Sequence, residues 1–434
     1  MQKFVIEGGV PLSGTLIPAG NKNGALPILA ASILTEDEVV VRNVPRIRDV
    51  EAMLWILEAI GVTVQWRGTN EVALCAAGVR EDGAIDRELA ERIRASFLLA
   101  GPLLARFGRV VMPPPGGDVI GRRRLDPHVD AFRSMGAEVD CARDILLAAP
   151  HGLRPGSDVF MDEPSVMGTE NALMAAALIP GTTVIGNAAC EPHVQDLARL
   201  LVKMGADIQG IGSNLLTING ASTLHGCEHD LGPDHIEIGS FMALAGITGG
   251  ELRIKDTVPG DLRMIRLAFD RLGLRSEIQG DDVFVPGAQK LVMQSDVGEY
   301  TGKIQDGPWP AFPADLTSIA VALATQAEGS ILVLEWMFEN RLVFIDKLNS
   351  MGANILQCDP HRVIVNGPRR LRGERLESPD IRAGMAMLLA ALGAEGRSEI
   401  GNIRQIDRGY ERIDERLREL GAHIERVATE PVHA

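Results

Sequence analysis

Aromatic side chains supply only 4% of the 434 residues, which excludes an interior built on stacked rings. With 46% apolar residues and 47 glycines, the core must come from Ala, Leu, Ile, Val and Met, a composition that lets helices pack closely on sheets. Cysteine is sparse. Cys75, Cys141, Cys190, Cys227 and Cys358 are odd in number and lack paired spacing, which argues against a disulfide framework and for a reducing cytoplasm. No apolar run reaches about 18 residues, and the amino terminus lacks the charged-then-apolar layout of a secretory leader, so a soluble protein without membrane partners is expected. Basic residues are outnumbered 43 to 58, and the net charge of -15 would repel nucleic acid and anionic lipid alike. A small anionic substrate would need a local basic pocket.

What the chain does have is repetition. At 434 residues it is long enough for two domains of roughly 200 residues each. A phrase of large apolar residue, Gly, usually Ala, and a strand-like tail returns about every 70 residues, a spacing that marks a repeated structural unit. The six copies begin at Ile60-Gly61, Met135-Gly136, Met204-Gly205, Leu272-Gly273, Met351-Gly352 and Leu420-Gly421. Each phrase closes an amphipathic helix. In residues 49–60 the apolar positions Val50, Met53, Leu54, Leu57 and Ile60 recur at helical spacing, and the Gly supplies the positive-φ stop.

Upstream in each unit lies a helix of small apolar residues without a continuous polar face, at 25–34, 95–105, 171–178, 238–245, 316–324 and 382–392, and these read as buried. β-Branched strands at 38–42, 109–112, 182–185 and 330–333 fall between the two kinds of helix. The expected class is α/β, six units dividing into two domains of three, with the small-residue helix inside and the amphipathic one outside. A single wide doubly wound sheet is the rival architecture.

Several cations stand at the starts of these buried helices: Lys22 within GNKNGALP, Arg94, and Arg382 after Asp380. Helix starts offer unpaired N–H groups and a positive dipole end, so a cation there completes an anion pocket. An ordinary surface cation is the bland alternative for each. Residues 113–124, PPPGGDVIGRRR, combine prolines, two glycines, one acid and three arginines. They lack the Gly-Lys-Ser/Thr ending of a P-loop and a strand-tight GxGxxG, so a basic lid over an anionic substrate is the better reading and a solvated linker the plain one. Asp315, in a proline-restrained stretch before a buried helix, could cap that helix or serve as a general base toward a sugar hydroxyl. His225, Cys227 and His229 crowd together, but no second cluster at metal-ligand spacing joins them, and no metal is expected there.

Taken together, GNKNGALP, RASFLLAGPLLARFG, PGGDVIGRRRLDPH, PSVMGTEN, NAACEP, PAFPADL, MFENR, SPDIRAG and DRGYERI resemble the enolpyruvyl transferases, specifically the UDP-N-acetylglucosamine 1-carboxyvinyltransferase family, almost end to end. The resemblance implies a two-domain inside-out α/β barrel with substrates between the domains. One domain would be 22–234, carrying the lid 113–124, and the other 1–21 with 235–434. It implies phosphoenolpyruvate and UDP-N-acetylglucosamine as substrates, a cytoplasmic role in peptidoglycan synthesis, and no metal or redox cofactor. Lys22, Arg123 and Arg408 would bind the phosphate, with Arg94 and Arg382 lining the cleft. Asn23, Asp126, Ser165, Val166 and Met337 would contact the nucleotide sugar. Asp315 would deprotonate its hydroxyl, and Asp118 takes the lid position where many members have a reactive Cys.

Three departures bear on the acceptor. Glu163 lies where the family often has Lys, Arg124 replaces a Pro, and His235 replaces an Arg. Enolpyruvyl transfer to another nucleotide or to shikimate 3-phosphate, and a catalytically silent UDP-sugar sensor, are the competing expectations.

Overall fold

Six long stretches of the chain have no polar face, and all six become helices buried on nearly every side. A computed structural model describes residues 2–81, 85–155 and 158–428. In it the small-residue segments form Lys22–Ala31, Ala100–Phe107, Val166–Ala177, His235–Thr248, Thr317–Ala324 and Ile381–Gly393. Four open on a short polar cap. Asn21, Ser165, Asp234 and Asp380 each accept backbone N–H bonds from the first turn, so the helix start is satisfied without water. The amphipathic helices, among them Arg48–Ala59, Asp126–Ser134, Pro192–Lys203 and Arg263–Arg271, bury one face only. The glycines just past the six amphipathic helices, Gly61, Gly136, Gly205, Gly273, Gly352 and Gly421, all have positive φ between 83° and 113°. That conformation costs a side chain dearly and glycine little.

The chain divides into two compact units. One contains the residues up to Ala19, Val119–Arg122 and those from Pro233 onward; the other contains Gly20–Asp118 and Arg123–Gly232. Each has its own apolar core among the described residues.

In the first unit the helices His235–Thr248, Thr317–Ala324 and Ile381–Gly393 pack on one another. Small residues set how closely they approach: a Cβ at Gly239 would lie 2.7 Å from Leu316, and one at Gly246 would lie 2.8 Å from Leu323. Three four-stranded sheets accompany them. Each sheet pairs one parallel neighbour with antiparallel ones. In one, Gly302–Gln305 runs parallel to Gly329–Leu334, which then pairs antiparallel with Arg362–Gly367.

The second unit holds two four-stranded sheets and one of three strands among its described residues. Here the helix Ala100–Phe107 packs on Val166–Ala177, and Lys22–Ala31 packs on the 3-10 turn Arg94–Leu99.

The sequence reads 95–105 as one helix, whereas the structure divides it into the 3-10 segment Arg94–Leu99 and the α-helix Ala100–Phe107. The cause is a side chain. Asn171 donates from Nδ2 to the Phe97 carbonyl (2.9 Å) and accepts the Gly101 N–H at Oδ1 (2.8 Å), inserting its amide where an i to i-4 bond would otherwise run. Replacing Asn171 by Ala is expected to leave two buried backbone groups unpaired, at about 1–3 kcal/mol each. Urea unfolding should show Asn171→Ala at least about 2 kcal/mol less stable than the parent chain.

Candidate functional site

The two units each gather part of the set of side chains that the sequence marks. In the second unit, Lys22 is the first residue of its helix and almost buried, and its ammonium lies 3.2 Å from the Asp49 carboxylate. Asn23 follows it, its N–H held by the Asn21 cap. Arg94 opens the adjacent 3-10 turn and reaches the last residues of the segment 113–124, donating to the carbonyls of Arg123 (2.7 Å) and Arg124 (3.2 Å). Burial, then the neighbouring Arg123 charge, lowers the Arg94 pKa to about 10, still far above neutrality. Two guanidiniums kept together against their mutual repulsion make a site that gains from an anion.

Residues 113–124 contain neither helix nor strand. Asp118 is half-buried there, and a Cβ on Gly116 would collide with the Glu91 carbonyl at 1.7 Å. Asp126 starts the helix Asp126–Ser134, which packs on Val166–Ala177. Ser165 caps that second helix, accepting the Gly168 N–H at 3.2 Å, and Val166 is its first residue. Arg124 links the two segments through Asp162 (2.7 Å) and Glu163 (3.7 Å). The structure therefore brings Arg94, Arg123, Asp126, Ser165 and Val166 into one neighbourhood.

In the first unit Asp315 lies between two buried arginines. Arg341 donates to one carboxylate oxygen and Arg382 to the other, both at 2.8 Å, while the Asp315 side chain keeps 26% of its surface exposed. Arg382 also donates to the Tyr410 hydroxyl (3.2 Å), which bonds Ser240 (3.0 Å). Burial opposes the Arg382 charge, but Asp315, Tyr410 and Asp234 together hold its pKa above the ordinary arginine value. Thus Arg382 meets Asp315 from inside the protein rather than from the surface. Met337 sits on the loop after Glu335, its N–H directed at Asp306. Arg408 ends a short 3-10 turn packed on the Arg382 helix, with its guanidinium 2.9 Å from Gln405 Oε1.

Reasoning from sequence missed Asp49, Arg341 and the Asp306–Glu335 pair. Asp49 reads as an ordinary helix-start acid, and Arg341 reaches Asp315 across 26 positions, a distance no local pattern reports.

The chain matches the family profile described as EPSP synthase (3-phosphoshikimate 1-carboxyvinyltransferase) over residues 6–417. It is 54% identical to the UDP-N-acetylglucosamine 1-carboxyvinyltransferase of Bradyrhizobium diazoefficiens, with 98% of each chain covered. The proteins of the same name from Treponema denticola and Borreliella burgdorferi are 51% and 47% identical, with 98–99% of this chain and 99–100% of theirs covered. The chain belongs to the UDP-N-acetylglucosamine 1-carboxyvinyltransferase family. Among solved structures, the enolpyruvyl transferase NikO from Streptomyces tendae shares the fold at TM-score 0.86 and 24% identity, with 99% of both chains covered. EPSP synthase from Acinetobacter baumannii shares it at 0.74 and 19%, covering 99% of this chain and 100% of that one. No helix among the described residues of this family member is long and apolar enough to cross a membrane.

Two buried imidazoles flank the charged groups. Burial, then Arg94, pushes His128 down to about 3. Burial also lowers His235 to about 4, with Asp315 opposing the shift and Arg382 adding to it. Both are neutral when folded and start from 6.5. Their contribution to stability is complete above about pH 6.5 and is lost as pH falls toward 4, because the unfolded chain then binds protons that the folded chain refuses. Urea unfolding at pH 7 and pH 5 should show the parent losing more stability than His235→Asn. The difference is bounded by about 1.4 kcal/mol per pH unit.

Proposed function

We propose that this chain transfers the enolpyruvyl group of phosphoenolpyruvate to the 3-hydroxyl of UDP-N-acetylglucosamine, releasing phosphate through a tetrahedral intermediate. The reading is carried by sequence identity of 45–54%, sustained over at least 98% of the chain, to proteins of that activity by name. It places the enzyme in the cytoplasm at the first committed step of peptidoglycan synthesis. The two units would be threefold inside-out α/β barrels, with domains 22–234 and 1–21 plus 235–434.

In this proposal Lys22, Arg123 and Arg408 hold the phosphate, and Arg94 adds charge for the carboxylate. Asn23, Asp126, Ser165, Val166 and Met337 position the nucleotide sugar. Protonating the methylene carbon of phosphoenolpyruvate leaves its central carbon electron-poor. The sugar oxygen attacks there as Asp315 takes its proton, and expulsion of phosphate with loss of a methyl proton restores the double bond. The electron pairs move only among substrates and side chains, so the chemistry calls for no metal or redox cofactor. Cations fixed beforehand stabilise the developing charge without reorganising, and lid closure would exclude water from the reactive intermediate. Arg382 acts indirectly, by fixing the Asp315 carboxylate together with Arg341.

Incubation with both substrates should give a nucleotide heavier by one enolpyruvyl group, with one phosphate released per product. Phosphate release only with another acceptor would reassign the substrate, and binding without release would make the chain a UDP-sugar sensor. Asp315→Asn should lower kcat by about 10²- to 10⁴-fold with a much smaller change in KM for the sugar nucleotide. Asp118 is proposed as an acid in protonation or product release. The epoxide fosfomycin, which alkylates the lid Cys of other members, should leave the parent active and inactivate Asp118→Cys; covalent labelling of Asp118 would contradict this.

A further inference from the structure

Beneath the loop 336–341 of the first unit lie two carboxyl groups that the proposed chemistry does not use. Asp306 follows the strand Gly302–Gln305, and Glu335 follows its parallel partner Gly329–Leu334. Both are buried, and Glu335 is wholly so. Their oxygens are the acceptors that shape the loop. Asp306 takes the N–H of Trp336 at one oxygen and that of Met337 at the other (3.3 Å), and Glu335 Oε1 takes the N–H of Phe338 (3.0 Å). Three consecutive backbone donors therefore end on two adjacent acids.

The same loop carries three features of the site. Met337 is a proposed acceptor contact. Glu339 and Asn340 hold the segment Val119–Arg122, through Arg122 N–H to Glu339 Oε2 (3.2 Å) and Asn340 N–H to the Ile120 carbonyl (3.0 Å). Arg341 grips Asp315. We propose that the Asp306–Glu335 pair is a positioning device for the transfer reaction, fixing the loop that presents Met337, anchors 119–122 and aligns Asp315 through Arg341. This rests on the function proposed above.

The pair has a chemical consequence. The groups facing Glu335 are Asp306, Arg341, the Thr317 hydroxyl and His361, whose Nδ1 meets the Glu335 carbonyl at 2.7 Å. Glu335 Oε2 is buried without a hydrogen-bond partner in the structure. Burial first, then the Asp306 charge, pushes Glu335 up to about 8, with Arg341 opposing. At neutral pH Glu335 is mostly protonated, and its Oε1 accepts from Phe338. As pH rises through about 8, Glu335 becomes a second buried anion beside Asp306, and the loop loses its favoured arrangement.

The experiment measures kcat and KM for UDP-N-acetylglucosamine from pH 7 to pH 9 in the parent chain and in Glu335→Gln, which keeps an acceptor for Phe338 but cannot ionise. A single titration near 8 should raise the parent KM about tenfold across that range, with a smaller change in kcat. The variant should stay nearly flat; titration of the substrate itself is common to both. A parent KM independent of pH, or a variant that tracks the parent, overturns the proposal.

Amide hydrogen exchange across 336–341, without substrate, separates this from failure of the functional reading. The parent loop should lose protection relative to Glu335→Gln at pH 9 but not at pH 7, whichever acceptor the enzyme uses. Equal protection at both pH values overturns the device on its own. Should the variant not fold, parent exchange referenced to the helix Thr317–Ala324 decides between the same two results.

Discussion

Two guanidiniums buried beside one half-exposed carboxylate are the constraint on which the first unit depends. Removing a guanidinium from water costs several kcal/mol, and only a well-placed carboxylate with further hydrogen bonds offsets it. Arg341 and Arg382 come from separate parts of the chain and meet on opposite oxygens of Asp315, so three segments must be in register at once. The Tyr410 hydroxyl, itself bonded to Ser240, accepts a further N–H of Arg382. The outcome is a carboxylate held on both oxygens by guanidiniums while part of its surface stays exposed.

The second unit handles its cations differently. Lys22 faces the Asp49 carboxylate at 3.2 Å, whereas Arg94 and Arg123 are near each other and Arg94 is held by carbonyls. One pattern suits orientation of a base, and the other suits capture of an anion.

Local chemistry made much of this readable from sequence. The glycines after the amphipathic helices and the β-branched strands are local signals, and the structure places Val39–Arg42, Arg109–Met112 and Gly329–Leu334 within a residue or so of the expected spans. Lys22 and Arg382 were noticeable because each begins a buried helix. Asn171 was not, since its effect is to divide a helix some 70 positions away. Arg341, Asp306 and Glu335 were hidden for the same reason: their meaning is a meeting of distant segments, and nothing in spacing or composition encodes it. Arg382 was legible as a cation, but its burial against Asp315 was not.

The placement of charge has a further bearing on how such an enzyme tolerates its surroundings. The molecule carries a net -15, yet Arg341, Arg382 and Lys22 are almost wholly withdrawn from solvent. Dissolved salt largely screens exposed charges that are more than about 8–10 Å apart but hardly reaches enclosed ones. Fluctuating ionic strength therefore acts mainly on the acidic exterior, where it eases self-repulsion. The interior grip on Asp315 stays nearly constant across osmotic conditions.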